Sequence, residues 1–213
     1  MNRIQDDWAR VAAWLSSNAP LSYARLRPGA DPGRIGRLEE HLGGPLHPDH
    51  RALLEVCDGT VEEWHAEEYL EENDPGLILA GLHLLSVDGV RAVRGSGGLG
   101  AEWWRGWVPV AVNDYSAKPE SGLAADPGGM LDDFALYDGT APGTVPPPQG
   151  RTLAGHIAAL AEALESGTGP LTKEWVVPGV AMDRLMWGHP AMDTIQVTGE
   201  EGPRTVPWRP VRR

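Results

Sequence analysis

"LEEHLGGPLHPDHRALLEVCDG", residues 38–59, decides how the N-terminal half of the chain is built. Leu38 and Leu42 continue an apolar stripe begun at Ile35, and the Gly43-Gly44-Pro45 break stops it. Pro48 is tolerated only in the first turn of a new helix, Leu53, Leu54, Val56 and Cys57 supply its apolar side, and Gly59 is suited to a positive φ at its C-terminal cap. The stretch therefore reads as two short helices joined by a tight break.

The same residues invite a metal reading, because His41, His47 and His50 lie beside Glu39 and Glu40 and precede the only cysteine, Cys57. A metal needs three or four ligands converging on one point. His41 falls before the break and Cys57 lies about two turns beyond His47, with neither an HExxH pattern nor a cysteine pair, so these histidines read as capping or surface residues. Glu39 and Glu40 point ~100° apart on a helix and cannot flank one scissile bond. Glu39 is expected to pair with Arg37 or Arg51, Glu40 to be solvated and Cys57 to fill core volume. The chain has no nucleophile elbow and no phosphate or dinucleotide loop; "GSGGLG" has the glycines alone. A non-enzymatic protein without catalytic residues, metal or cofactor is expected.

Upstream, Ile4, Trp8, Val11, Ala12 and Leu15 recur at helical spacing over residues 4–16, and Asp31 followed by Pro32 opens the next helix. Downstream, an apolar strand is expected around residues 77–79, followed by a helix opened by Ser86 with Val90 and Val93 inward. "WVPVAVND", "SGLAADPGG" and "FALYDGT" read as three short strands, the first with Pro109 at an edge or a bulge. After the spacer "PGTVPPPQG", Thr152 caps a helix carrying Leu153, Ile157, Leu160 and Leu164 inward, and Gly167 stops it. "EWVVPGV" follows, and "TIQVTGEEGPRTVPW" reads as a hairpin across "GEEG". The order predicts an α+β fold: a mostly antiparallel sheet packed with N-terminal helices and a C-terminal helix. Residues 1–169 form the expected domain, and residues 170–213 an extension packing on or extending it.

The chain has 213 residues, nine Trp and one Phe, so indoles must supply the large core volumes. Asp6 and Asp7 stand where a signal peptide would be apolar, and no stretch approaches a membrane span; a cytoplasmic protein is expected. Net charge is −12, with 25 acidic against 12 basic residues in positions 1–170. Such a domain repels nucleic acid and anionic membranes and attracts basic proteins.

Taken together, "LRPGADPGRIGRLEEHLGGPLHPDHRALLEVCDG", "LLSVDGV", "WVPVAVND", "GLAADPGG" and "HIAALAEALESG" resemble the SUKH superfamily, which includes cell-wall assembly regulators and immunity proteins against polymorphic toxins. The resemblance spans roughly residues 4–167 and rests on Trp8, residues 28–30, Ile35, Leu38, Glu39, Leu42, Gly43, Leu46, Asp49, Arg51, Leu53, Leu54, Asp58, Gly59, residues 84–86, residues 107–111 and Asp126. His47 replaces the proline usual in that pattern, and His50 stands where an aromatic is common. The resemblance implies a protein that binds another protein, as an immunity protein neutralising a toxin or as a regulatory scaffold with a housekeeping partner.

One run carries a contact signal independent of that resemblance. Glu62, Glu63, Glu67, Glu68, Glu71, Glu72 and Asp74 place seven like charges in thirteen residues, interleaved with Trp64, Tyr69 and Leu70. Aromatics amid charge are typical of contact surfaces, and such a surface would suit a basic toxin such as a nuclease, with Trp64 or Tyr69 as anchor. The alternative from another class is a small-molecule-binding or hydrolytic site on the Trp103, Trp104 and Trp107 cluster near Asp114 or Asp126, with Trp104 the exposed indole.

Overall fold

The computed structural model describes residues 3–61, 74–95, 104–113, 121–135, 139–143, 151–199 and 202–212. It begins with helix α1 (Arg3–Asn18) and a single turn, α2 (Pro20–Ala24), which lead into strand β1 (Leu26–Pro28). The opening pair of helices follows as α3 (Pro32–Leu42) and α4 (Pro48–Val56). The Asp31 side chain accepts hydrogen bonds from the N–H groups of Gly33 and Arg34, and Gly43 ends α3 in the left-handed conformation.

Gly59 does not cap α4. The helix ends at Cys57, whose backbone is extended, and Gly59 lies inside strand β2 (Cys57–Thr60), which pairs with β1 from Leu26 opposite Thr60 to Pro28 opposite Cys57. The terminal carbonyl of Leu54 accepts instead from the N–H of Ala30 at 2.8 Å, so the neighbouring chain does the capping. The apolar residues 77–79 also differ from expectation. Ile78 and Leu79 are fully buried but lie in turns, and strand β3 is His83–Leu84. Their hydrophobicity reports core burial rather than strand pairing.

Helix α5 (Val87–Gly95) follows, opened by Ser86, whose Oγ accepts from the N–H of Gly89 at 2.9 Å. Strands β4 (Val108–Val112), β5 (Ser121–Ala125) and β6 (Leu131–Ala135) join β3 in an antiparallel sheet of order β3-β4-β5-β6. Pro109 lies in a central strand at a register shift, which is how that strand tolerates a residue without an N–H. Helix α6 (Leu153–Ser166) is capped by Thr152 and stopped by Gly167 in the left-handed conformation.

Both faces of this sheet are covered. One face, with Leu84, Val110, Leu123 and Leu131, packs against α1, α4 and α6, where Leu153, Ile157, Leu160 and Leu164 are fully buried at roughly 1.5 to 3 kcal/mol each. The other, with Val112, Ala124 and Phe134, packs against α3, α5 and Trp104. Helix α4 sends Leu53 to the first core and Leu54 to the second.

The remaining strands are β7 (Val177–Ala181), β8 (Arg184–Gly188), β9 (Thr194–Gly199), β10 (Gly202–Pro207) and β11 (Arg209–Pro210). Strands β11, β7 and β8 make a three-stranded sheet, and β9 and β10 pair as a hairpin with Gly199 opposite Gly202, the two ends of "GEEG". Val180 and Leu185 belong to the first core, and the N–H of Leu185 donates to Ser22 Oγ at 2.9 Å, which ties these strands to α2.

Asp58 joins several elements. Its Oδ1 accepts from the N–H of Val87 at 2.8 Å, and its Oδ2 pairs with Arg34 at 2.7 Å and with Arg27 at 3.4 Å, all from a fully buried position. The arginines reach water and keep part of their hydration, which limits the cost of losing the pair. Asp58→Ala is expected to lower stability by about 2 to 3 kcal/mol, measured by urea unfolding. A change below about 0.5 kcal/mol would show the junction to be dispensable.

At the far side of the main sheet, β6 carries Asp132 and Asp133. Asp132 Oδ2 accepts from the N–H of Gly143 at 2.7 Å, while Asp133 pairs with Arg151 at 2.7 Å from an exposed position. Among the described residues, no helix is long and apolar enough to cross a membrane.

Candidate partner-binding surface

Glu62, Glu63, Trp64, Glu67, Glu68, Tyr69, Glu71 and Glu72 lie outside the described residues, as do Trp103 and Asp114. Val61, which precedes the acidic run, and Asp74, its last member, are described and hydrogen-bonded. On one side, β2 leads to Val61, whose N–H donates to the carbonyl of Arg25 at 2.8 Å. On the other, Asp74 Oδ1 accepts from the N–H of Gly76 at 2.6 Å, and the Asp74 carbonyl accepts from Leu77 at 3.2 Å. An aspartate that bonds the backbone two residues on makes a compact turn with its own side chain.

Each end lies beside a concavity. Near Val61, a cleft of about 330 Å³ is lined by Trp8 and Ala12 of α1, Tyr23 of α2, Pro28 of β1, Val56 and Cys57. Tyr23 is 45% exposed, and Val56 and Val61 are 37% exposed, so apolar surface faces water where the run begins. Near Asp74, a second cleft of about 270 Å³ lies between residues 74–81 and strands β8 and β9. Its Trp187, Ile195 and Gln196 carried no signal in the sequence, because a hairpin pattern tells which residues alternate and not which other element they face.

The histidines of the opening stretch have separate duties. His47 is the N-cap of α4, its Nδ1 accepting from the N–H of Asp49 at 3.2 Å, and its ring covers Gly129, where a Cβ would come within 2.5 Å of it. His50 is fully buried rather than at a cap or surface, and its Nδ1 has no hydrogen-bond partner among the described residues. Burial, with nearby His47, pushes its imidazole down to about 4. Cys57 is buried and its thiol is pushed up to about 12 by that burial, which keeps it protonated and unreactive at neutral pH. Glu39 pairs with Arg51 at 2.6 Å and accepts from the N–H of Leu46 at 3.1 Å, closing the Gly-Gly-Pro break. Among the described residues, no group of three or more His, Cys, Asp or Glu is placed to hold a metal.

Trp104 is a core residue, contrary to its expected exposure. It is fully buried and packs edge-on against Phe134 with ring centroids 5.2 Å apart, while Arg94 lies 5.9 Å over its ring. The tight turn that bonds the N–H of Trp107 to the carbonyl of Trp104 at 2.7 Å, with Arg105 and Gly106 at positive φ, turns this indole inward and leaves Trp107 half-buried. Asp126 is engaged in a turn, accepting from the N–H of Met130 at 2.8 Å. The indole shelf thus loses its central ring to the core. No protein-family model matches this chain, and the comparison with curated proteins found no match.

Proposed function

We propose that this protein binds another protein without catalysis, as a SUKH-type immunity protein that neutralises a basic toxin by stoichiometric occlusion. The observation that carries this reading is the acidic run, seven carboxylates interleaved with Trp64 and Tyr69, which follows Val61, bonded to Arg25, and closes at Asp74, bonded to Gly76. Apolar residues at its start, Tyr23, Val56 and Val61, supply contact area that charge alone lacks. Glu62, Glu63, Glu67, Glu68, Glu71, Glu72 and Asp74 face the partner's cationic groups, and the accumulated charge speeds encounter.

Co-expression with the product of the adjacent open reading frame tests this directly: that product alone arrests growth, and this protein restores it. A harmless product, or growth arrest that persists on co-expression, overturns the toxin reading. Replacing Glu67, Glu68, Glu71 and Glu72 with glutamine is expected to slow association roughly tenfold or more at low salt and little at high salt, measured by stopped flow. Relief of like-charge repulsion leaves Tm level or higher. An unchanged on-rate removes the run from the interface.

A further inference from the structure

We infer that strand β9 is an association edge, on which a second copy of this chain adds its own β9 antiparallel across a two-fold axis at Gln196. The ladder of the β9–β10 hairpin fixes which backbone groups are available. The N–H of Trp208 donates to the carbonyl of Asp193 at 2.9 Å, and the register that sets Pro207 opposite Thr194 makes these two residues the next pair of the same ladder. Bonded and non-bonded pairs alternate along an antiparallel ladder. Ile195 therefore bonds Val206 and Val197 bonds Arg204, while Thr194, Gln196 and Thr198 turn their N–H and C=O groups away from β10. Among the described residues, β10 is the only strand paired with β9, and Thr194 and Gln196 are exposed.

The two edges of the hairpin are built differently. On the β10 side the outward positions are Pro203, Thr205 and Pro207, so prolines remove the N–H donors on either side of Thr205, and Arg204 adds a charge. On the β9 side, TIQVTG has neither a proline nor a charge and is rich in β-branched residues, a composition suited to strand pairing. Val197, Val206 and Trp208 are buried in one cluster with Met186, which holds the hairpin to a single register and presents the β9 edge as a preformed template.

The pattern of β9 specifies the copy as occupant. With Gln196 opposite its symmetry mate, the outward positions Thr194 and Thr198 also fall opposite each other, and each such pair exchanges two hydrogen bonds. The same register sets Ile195 opposite Val197 on the core-facing side, a cross-strand pair of β-branched residues. A shift by one residue sets outward groups against inward ones and exchanges the faces. A strand from another protein meets the same backbone, but the two-fold match of outward and core-facing residues belongs to β9 itself. One strand pair is a small contact, so the dimer forms between about 10 μM and 1 mM. The inference does not depend on the acidic run.

The test is sedimentation velocity of the full chain from about 1 μM to about 1 mM, with Gln196→Pro and Thr205→Pro as matched variants. These two residues face each other in a non-bonded pair, so neither proline removes a ladder bond, and each removes an outward N–H from a different edge. The expected result is a concentration-dependent dimer for the unaltered chain and for Thr205→Pro, with association weakened at least about tenfold in Gln196→Pro. Gln196→Lys, which brings like charges together at the axis and leaves the backbone unchanged, is expected to give the same loss. Hydrogen exchange supplies a second readout: the amides of Thr194, Gln196 and Thr198 gain protection as concentration rises, and that of Thr205 does not. A chain that stays monomeric up to about 1 mM, an equal loss in Thr205→Pro, or a dimer indifferent to Gln196→Lys overturns the assignment.

Discussion

Gly59→Ala is expected to destabilise the protein by about 3 to 5 kcal/mol. Two costs coincide at this position. Its φ of 73° is a conformation that L side chains adopt at a penalty of about 1 to 2 kcal/mol. A Cβ there would also lie 2.6 Å from the carbonyl carbon of Leu85 and 2.7 Å from the carbonyl oxygen of Leu84, both backbone atoms, which no rotamer change can move aside. Relief would require β2 to separate from β3, breaking the bond from Thr60 Oγ1 to the Leu84 carbonyl and displacing neighbouring Asp58 from Arg34 and Val87. Gly43→Ala is the control, since Gly43 has φ 78° and open space around its missing Cβ. It should cost only about 1 to 2 kcal/mol by urea denaturation. Equal losses at the two glycines would mean that backbone conformation, not the close approach of β2 and β3, explains Gly59.

Acid is expected to unfold the protein with a pH dependence set largely by two histidines. His50 and His156 are both buried, and burial pushes each imidazole down to about 4; His47 lowers His50 further, while for His156 Arg151 lowers it and Asp133 raises it in part. The unfolded chain titrates these residues near 6.5, so between pH 6.5 and 4 it binds protons that the folded protein does not. Stability is therefore complete above about pH 6.5 and is lost as pH falls toward 4, by roughly 3 kcal/mol per histidine. About 6 kcal/mol in all is comparable with the whole stability of many domains. The measurement is urea unfolding at several pH values. His50→Leu and His156→Leu should each remove close to one proton from the slope around pH 5, whatever the substitution does to absolute stability. Unchanged slopes in both variants would show that the acid response comes from the carboxylates.

The helices were legible because their ends are chemically marked. Asp31-Pro32, Pro48, Ser86 and Thr152 accept or dispense with the orphan N–H groups of a first turn, and Gly43 and Gly167 take the backbone turn at the last. The α+β class followed from their order with the strands. What was hidden concerns which element faces which. An apolar run such as residues 77–79 looks the same whether it pairs as a strand or is buried as a turn. Gly59 has the φ of a cap, but a glycine needed for close approach leaves the same letter in the sequence. Trp104 and Trp107, three residues apart, gave no sign of which turns inward until the turn between them was placed. The acidic run was legible as chemistry, whereas the Asp74 cleft depends on strands more than 100 residues away and could not be read from spacing.

The main sheet ends at β6, and a terminal strand is an open template on which a second chain can lengthen the sheet. Here Asp133 stands exposed on that strand, and the turn at Thr140 bonds to Ala135 while Gly143 bonds to Asp132, so charge and a covering loop both oppose such addition. The safeguard has a chemical weakness. It lasts only as long as the fold, and the acid that charges His50 and His156 opens the fold. Acid-opened protein should therefore be prone to association through strands that the folded loop covers.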